Sequence, residues 1–243
     1  MTFLTNPRVD AVQAPPIPEA WSWIEGLEFP ADRPLLDVCQ AVPSSPPPEA
    51  LRAHVAQRAA DPATAKYTDI FGLPALRDGL AADIRKIYGG DVVADNAMIT
   101  AGCNQAFFNT MVGLAAEGDH VILPSPWYFN HEMTADMLGI GIFPMPFRPE
   151  RGGVPDPDDA RRLVNDKTRA IVLVTPNNPS GAVYPPDVLD ASSRWRAKPD
   201  VPSYSTRPIA TFSLRVPAPT TFSHAVTGAT RWYISTASRR SIA

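Results

Sequence analysis

Acidic residues all but vanish after position 190. The chain of 243 residues carries a net charge of −3, yet residues 1–190 hold 14 Lys/Arg against 24 Asp/Glu, and residues 191–243 hold 8 Lys/Arg against Asp200 alone. A single domain seldom changes character so sharply, so the two parts need separate accounts. The basic tail has no repeated, aromatic-interleaved pattern, which argues against nucleic acid as a partner. Cysteine is scarce: Cys39 and Cys103 follow no metal-ligand spacing, which points to a reduced, cytoplasmic protein. His54, His120, His131 and His224 are scattered and read as surface or core residues rather than metal ligands. No apolar run approaches the roughly eighteen residues of a membrane span. The first twenty residues carry prolines and no apolar core, so no signal peptide is expected.

What the chain does have is alternation. Residues 96–100 read as a short strand, 103–116 as a helix, 120–123 as a strand, 130–138 as a helix, 141–145 as a strand, 156–164 as a helix and 170–174 as a strand. Strands and helices taken in turn, with short loops, predict an α/β fold: a largely parallel sheet with helices on its faces and right-handed crossovers. Upstream, Leu73, Leu76, Leu80, Ile84 and Ile87 recur at steps of 3, 4, 4 and 3, which predicts a helix over 73–88 with one buried stripe, ended by Gly89-Gly90. A helix is also predicted after Pro46-Pro47-Pro48, with Leu51, Val55 and Ala59 on one face. Residues 1–47 are proline-rich and read as an arm with one short strand at Leu35-Leu36-Asp37-Val38.

Three stretches could carry chemistry, and each has a plain alternative. The buried strand Ile171–Val174 stops at Thr175-Pro176-Asn177-Asn178-Pro179-Ser180-Gly181, where two prolines and a glycine forbid ladder pairing and helix alike. Two side-chain amides are thus fixed at the carboxyl end of a strand, where open α/β sheets bind ligands; an ordinary Asx/Pro turn fits the same letters. In Thr100-Ala101-Gly102-Cys103-Asn104, a glycine turn opens a helix whose first N–H groups are unpaired and suited to a phosphate. The alternative is a simple turn capped by Asn104. In Trp127-Tyr128-Phe129, one aromatic can act as a stacking plate for a flat ligand, or all three can cover the core edge. No G-x-G-x-x-G loop follows any strand, which counts against a nucleotide-dependent enzyme using Gly102 for a diphosphate.

Taken in order, YTDIFGLPALR (Tyr67–Arg77), TAGCNQA (Thr100–Ala106), PSPWYF (Pro124–Phe129) and TPNNPSG (Thr175–Gly181) resemble the fold-type I aminotransferases of class I/II, which use pyridoxal phosphate. The resemblance covers about residues 35 to 190. It implies a three-layer α/β/α large domain of the pyridoxal-phosphate transferase type, present here only in part. It also implies a cytoplasmic homodimer acting on an amino acid and a 2-oxo acid. Residue by residue, Gly102, Cys103 and Asn104 match the segment that holds the cofactor phosphate. Tyr128 matches the aromatic stacked on the ring, and Asn178 the asparagine bonded to the ring's 3′-oxygen. Tyr67 matches the tyrosine that reaches the phosphate of the neighbouring subunit. Gln40-Ala41-Val42-Pro43 resembles the loop near the substrate carboxylate, with Ala41 where glycine is usual.

The same resemblance implies a Schiff-base lysine, an acid facing the ring nitrogen and a carboxylate-binding arginine, all downstream of the NNPSG turn. After Asp190 the chain offers no D-x-x-Y and no S-x-x-K; Lys66, Lys86 and Lys167 lie elsewhere, and Lys198 sits in WRAKPD. No catalytic residue is therefore assigned. Residues 191–243 contain 16 Ser/Thr and 5 prolines with little periodicity. With codons built from the third base of each codon and the first two of the next, Pro202–Phe212 is compatible with LVLDETYRDF. The stretch around Arg231–Arg240 is likewise compatible with TLVHLYSFSK, which puts the lysine codon across Arg239 and Arg240. The expectation is an N-terminal arm over 1–47, a partial cofactor-binding domain over 48–190 and an out-of-frame, disordered tail over 191–243. The functional expectation is an aminotransferase-like cofactor-binding chain that is itself inactive; the alternative is a non-catalytic binding or dimerisation module of the same ancestry.

Overall fold

A computed structural model of the protein describes residues 4–40, 45–88, 91–193, 210–215 and 233–235. They group into two compact units, one drawn from Met1–Pro15 and Gly102–Ala243 and the other from Pro16–Ala101. We call them the sheet unit and the helical unit.

The sheet unit is built on β1 (His120–Pro124), β2 (Gly141–Met145), β3 (Thr168–Thr175), β4 (Ala210–Arg215) and β5 (Tyr233–Ser235), in the order β2-β1-β3-β4-β5. All pairings are parallel except the antiparallel β4–β5 pair. Side chains alternate across a strand. Val121 and Leu123 therefore face one way, with Ala170 and Val172 of β3, and meet Phe107 and Met111 of α5 (Cys103–Leu114) and Ala135 of α6 (Phe129–Leu138). Ile122, Ile171 and Leu173 face the other way, onto Ala160 of α7 (Pro157–Leu163), Tyr184, and Leu189 of α8 (Pro186–Ser193). Each large side chain buried this way contributes roughly 1.5–3 kcal/mol. The result is the expected α/β/α layering, and β3 is buried on both faces as its apolar run predicts.

At the amino edge of the sheet the polar groups serve structure. Asp119 takes two bonds from Arg169, at 2.9 and 2.8 Å, and a third from the Ala116 N–H at 2.9 Å. His120 stacks on Phe143 and shares a 2.6 Å bond with the Thr168 hydroxyl. Burial, and then the Arg169 charge, push its pKa down. On α7, Asp159 is buried and accepts from Arg148 at 2.9 and 2.8 Å and from Arg162, which holds its carboxyl below the usual range. The short α1 (Pro7–Asp10) joins this unit through an Arg8–Glu117 ion pair.

The helical unit holds α2 (Pro16–Ser22), α3 (Glu49–Ala59) and α4 (Pro74–Tyr88), so both helices expected here form. Their faces are covered to different degrees. Ala81 and Ile84 of α4 are buried, whereas Leu73 and Leu76 of the expected stripe, and all of α3, are not. The turn before α4 is well specified: the Asp69 carboxylate accepts from the Phe71 N–H at 2.8 Å, and Gly72 lies at φ +100° against Ile99.

Two expected strands are absent. Residues 96–100 begin in a 3₁₀ turn (Ala94–Asn96), and the rest joins no sheet because Ile99 donates its N–H to the Phe71 carbonyl instead. Leu35–Val38 joins no ladder among the described residues, and Val38 is 91% exposed. A β-branched or apolar run becomes a strand only where a neighbouring backbone completes its ladder. The expected helix end at Gly89-Gly90 and most of the Gln40–Pro43 loop fall outside the described residues. The tail, expected to be disordered, contributes β4 and β5; its other residues beyond 193 are also outside the description.

Candidate functional site

Parallel strands with right-handed crossovers bring their exit loops to one edge. β1 and β3 are adjacent and parallel, so the segments after Pro124 and after Thr175 leave the sheet side by side. α5 leads into β1 through residues 115–119 and packs along it, so its first residues, Gly102 to Asn104, lie at that same edge. Five of the six candidate residues are thus brought to the carboxyl edge of the sheet unit. The sixth, Tyr67, belongs to the helical unit, in an extended segment, with its side chain fully exposed.

Gly102 takes φ +95°, a conformation that side chains disfavour, and no atom lies within 4 Å of where a Cβ would stand. Its role is to turn the chain into α5 and leave open space above the turn. Gly102 holds the N-cap position, so Asn104, two residues further on, does not stand where the capping side chain of the plain alternative would. Its side chain is exposed, with the Cys103 thiol 4.0 Å from its Oδ1. The N–H groups of a helix's first turn lack intrahelical acceptors, and the dipole favours negative charge there.

The turn after β3 separates its two asparagines. Asn177 is buried, and its Oδ1 accepts from the Ser180 N–H at 3.1 Å and the Ser180 hydroxyl at 2.7 Å. Its own N–H donates to Ala182, and its carbonyl accepts from Gly181, both at 2.8 Å. It also bonds Tyr184, whose phenol is pushed up to about 12 by burial. Asn177 therefore builds the turn, and Asn178 is left with its amide in solvent. The Asx-turn alternative describes one asparagine and the ligand reading the other.

The aromatic stretch also divides. Trp127 packs against the core and donates its Nε1–H to Glu132 at 3.1 Å. Tyr128 precedes the first turn of α6 and is half-exposed, its hydroxyl accepting from Asn130 Nδ2 at 2.8 Å. Behind it stands His131, buried between rings and pushed down to about 4 by that burial. From the sequence His131 reads only as a surface or core histidine: its i+3 spacing from Tyr128 is an ordinary helical one, and nothing in it points to α5.

A glycine-led helix start, an exposed amide and a half-exposed phenol share one sheet edge. The family described as aminotransferase class I and II matches residues 33–195, more than half of the chain. The chain belongs to the class I and II aminotransferases. An aspartate/prephenate aminotransferase of Thermus thermophilus is 37% identical over 145 residues, covering 60% of this chain and 38% of that protein. Human kynurenine–oxoglutarate transaminase 3 is 32% identical over 172 residues, covering 67% of this chain and 38% of its own. The solved aspartate aminotransferase of Thermus thermophilus with maleate superposes with a TM-score of 0.70 at 30% identity, covering 79% of this chain and 50% of that one. The chain thus spans between about two fifths and one half of the length of these relatives. Class I and II aminotransferases are pyridoxal phosphate enzymes. The residues at the sheet edge fit the phosphate and ring of that group. The lysines do not complete it: in the sheet unit Lys167 is the one lysine among the described residues, and it sits at the amino end of β3. An eight-residue strand, roughly 26 Å at 3.3 Å per residue, separates it from the Asn178 turn.

Proposed function

We propose that the carboxyl edge of the sheet unit binds pyridoxal 5′-phosphate in the manner of an aminotransferase, and that this chain on its own does not transfer amino groups. The observation that carries the first half is the shared edge: the β1 and β3 exits and the glycine-led start of α5 lie together. In this reading the Cys103 and Asn104 N–H groups, with the helix dipole behind them, bind the phosphate. The Asn178 amide donates to the ring oxygen, and Tyr128 lies against the ring face. Bound there, the cofactor supplies an electron sink for the α-carbon of an amino acid. The substrate classes carried over from the relatives are an amino acid and a 2-oxo acid.

The second half rests on the lysine. A reaction of this kind needs an amine that binds the cofactor and then moves protons as a base, and Lys167 is at the wrong edge. The shifted-frame reading of the tail accounts for the missing residue, and the nucleotide sequence tests it: codons spelling an aspartate near residue 205 and a lysine across Arg239 and Arg240 are expected. Protein chemistry tests the inactivity. Titration with pyridoxal 5′-phosphate is expected to give reversible binding, and borohydride treatment followed by mass analysis is expected to give no adduct confined to one lysine. A stoichiometric adduct at a single lysine overturns the inactive reading; no binding at millimolar cofactor overturns the site.

One observation favours a second reading, a non-catalytic dimerisation module. Tyr67, whose counterpart reaches across a subunit boundary, is 107% exposed and so is available to a partner subunit. A sedimentation measurement at several concentrations separates the two, because the module requires a dimer and cofactor binding does not.

A further inference from the structure

The exposed apolar side chains of the helical unit have no stated occupant, and Cys103 is a lone thiol, so neither carries an assignment. The contact between α5 and α6 does. We infer that His131 is a positioning residue that holds the Tyr128 ring in register with the start of α5, so that plate and phosphate cradle act as one rigid site. This inference rests on the cofactor reading above.

The geometry is a chain of three rings across two helices. Phe107, buried on α5 one turn after Cys103, meets the His131 ring at 4.4 Å and 41°. His131, buried on the first turn of α6, presents to Tyr128 edge-on at 5.6 Å and 88°. The His131 N–H donates to the Tyr128 carbonyl at 2.9 Å, so backbone and ring of the same residue fix Tyr128 from one side. Asn130 adds a second restraint, through its bond to the hydroxyl. A half-exposed aromatic without such supports samples several rotamers, and ordering it on binding costs affinity. Here the ring is ordered beforehand, and the buried His131 ring against it is packed on the very helix that begins with the phosphate-binding turn. A neutral ring is required in that role, since a charged imidazolium cannot be buried against two aromatics without cost; the lowered pKa of His131 is consistent with this.

The test compares two ligands on the full chain. Pyridoxal 5′-phosphate uses plate and cradle; inorganic phosphate uses the cradle alone. His131→Leu, which keeps an apolar filling but removes the ring, is expected to weaken pyridoxal phosphate roughly three- to tenfold, the size of one aromatic contact. Phosphate binding is expected to change less than about twofold on the same scale. His131→Phe restores the ring and is expected to recover cofactor affinity. Asn130→Ala, which removes the bond to the hydroxyl, is expected to give a smaller loss in the same direction. An unchanged cofactor affinity in a folded His131→Leu chain overturns the inference, and so does an equal loss for both ligands, which marks general softening of the core. Should His131→Leu show no cooperative melting, His131→Phe and Asn130→Ala decide: wild-type behaviour in Asn130→Ala together with lost affinity in His131→Phe overturns it. If the wild-type chain itself binds phosphate but not pyridoxal phosphate, the cofactor reading fails first, and that result is distinguishable from any of these.

Discussion

The sheet unit and the helical unit obey the same sequence rules with different outcomes. In the sheet unit every apolar position predicted on β1 and β3 is buried, because helices from both faces close over a parallel ladder. In the helical unit the periodic stripe of α4 is covered only in its middle, and Ile70 stands 86% exposed. Periodicity reports that a face is apolar. It does not report what covers it.

The contrast predicts unequal costs for similar substitutions. Leu173→Ala, in the centre of β3, is expected to destabilise by about 4 kcal/mol. Val38→Ala in the helical unit is expected to change stability by less than about 0.5 kcal/mol. Urea unfolding of the two variants checks this, and equal costs would erase the distinction between the units.

Two glycines at positive φ sharpen it further. A Cβ on Gly72 would stand 2.7 Å from Ile99, whereas one on Gly102 meets nothing. Gly72→Ala carries backbone strain plus a clash, roughly 3 kcal/mol together; Gly102→Ala carries strain alone, about 1 kcal/mol. Ligand binding should reverse the order. Gly102→Ala is expected to weaken phosphate binding at the start of α5 and Gly72→Ala to leave it unchanged, as calorimetry with inorganic phosphate will show.

A pH dependence belongs to the sheet unit. His131 titrates near 4 when folded and near 6.5 when unfolded, so the unfolded chain binds the extra proton between these values. Its contribution is therefore full above about pH 6.5, falls as pH drops toward 4, and is level below; the whole change is roughly 3 kcal/mol. Denaturation at pH 7 and pH 4.5 is expected to show a larger loss for the wild-type chain than for His131→Phe. The smallest effect separates two neighbours: Tyr128→Ala is expected to weaken pyridoxal phosphate at least as much as His131→Leu does, by about tenfold. Trp127→Ala should act mainly on stability, and the reverse pattern in fluorescence titrations and melts would exchange their roles.

Much of the sheet unit was legible beforehand. Four apolar residues before a proline-rich turn marked β3, and strand–helix alternation gave the layers and put Gly102, Tyr128 and Asn178 at one edge. What escaped notice depends on partners that a sequence does not display. Met98 and Ile99 have the look of a strand, yet the Phe71 carbonyl claims the Ile99 N–H. Asn177 and Asn178 are the same letter twice, and only the bonds to Ser180 and Ala182 tell the builder of the turn from the exposed amide. His131 joins α5 to α6 through a contact to Phe107, 24 positions earlier in the chain. Spacing within a helix carries no trace of it.

The pairing of β3 with β4 has a consequence for where cooperativity ends. Six residues from a stretch with little apolar periodicity run alongside Ala170–Thr175 in unbroken parallel register. Backbone amides and carbonyls recognise each other whatever side chains they carry, so an open border strand recruits any extended hexamer within reach. Amide exchange along β3 thus reports on the last fifth of the polypeptide: deleting everything past Ser193 leaves the groups facing β4 to solvent, and the asparagine turn then hangs from a border strand instead of an interior one.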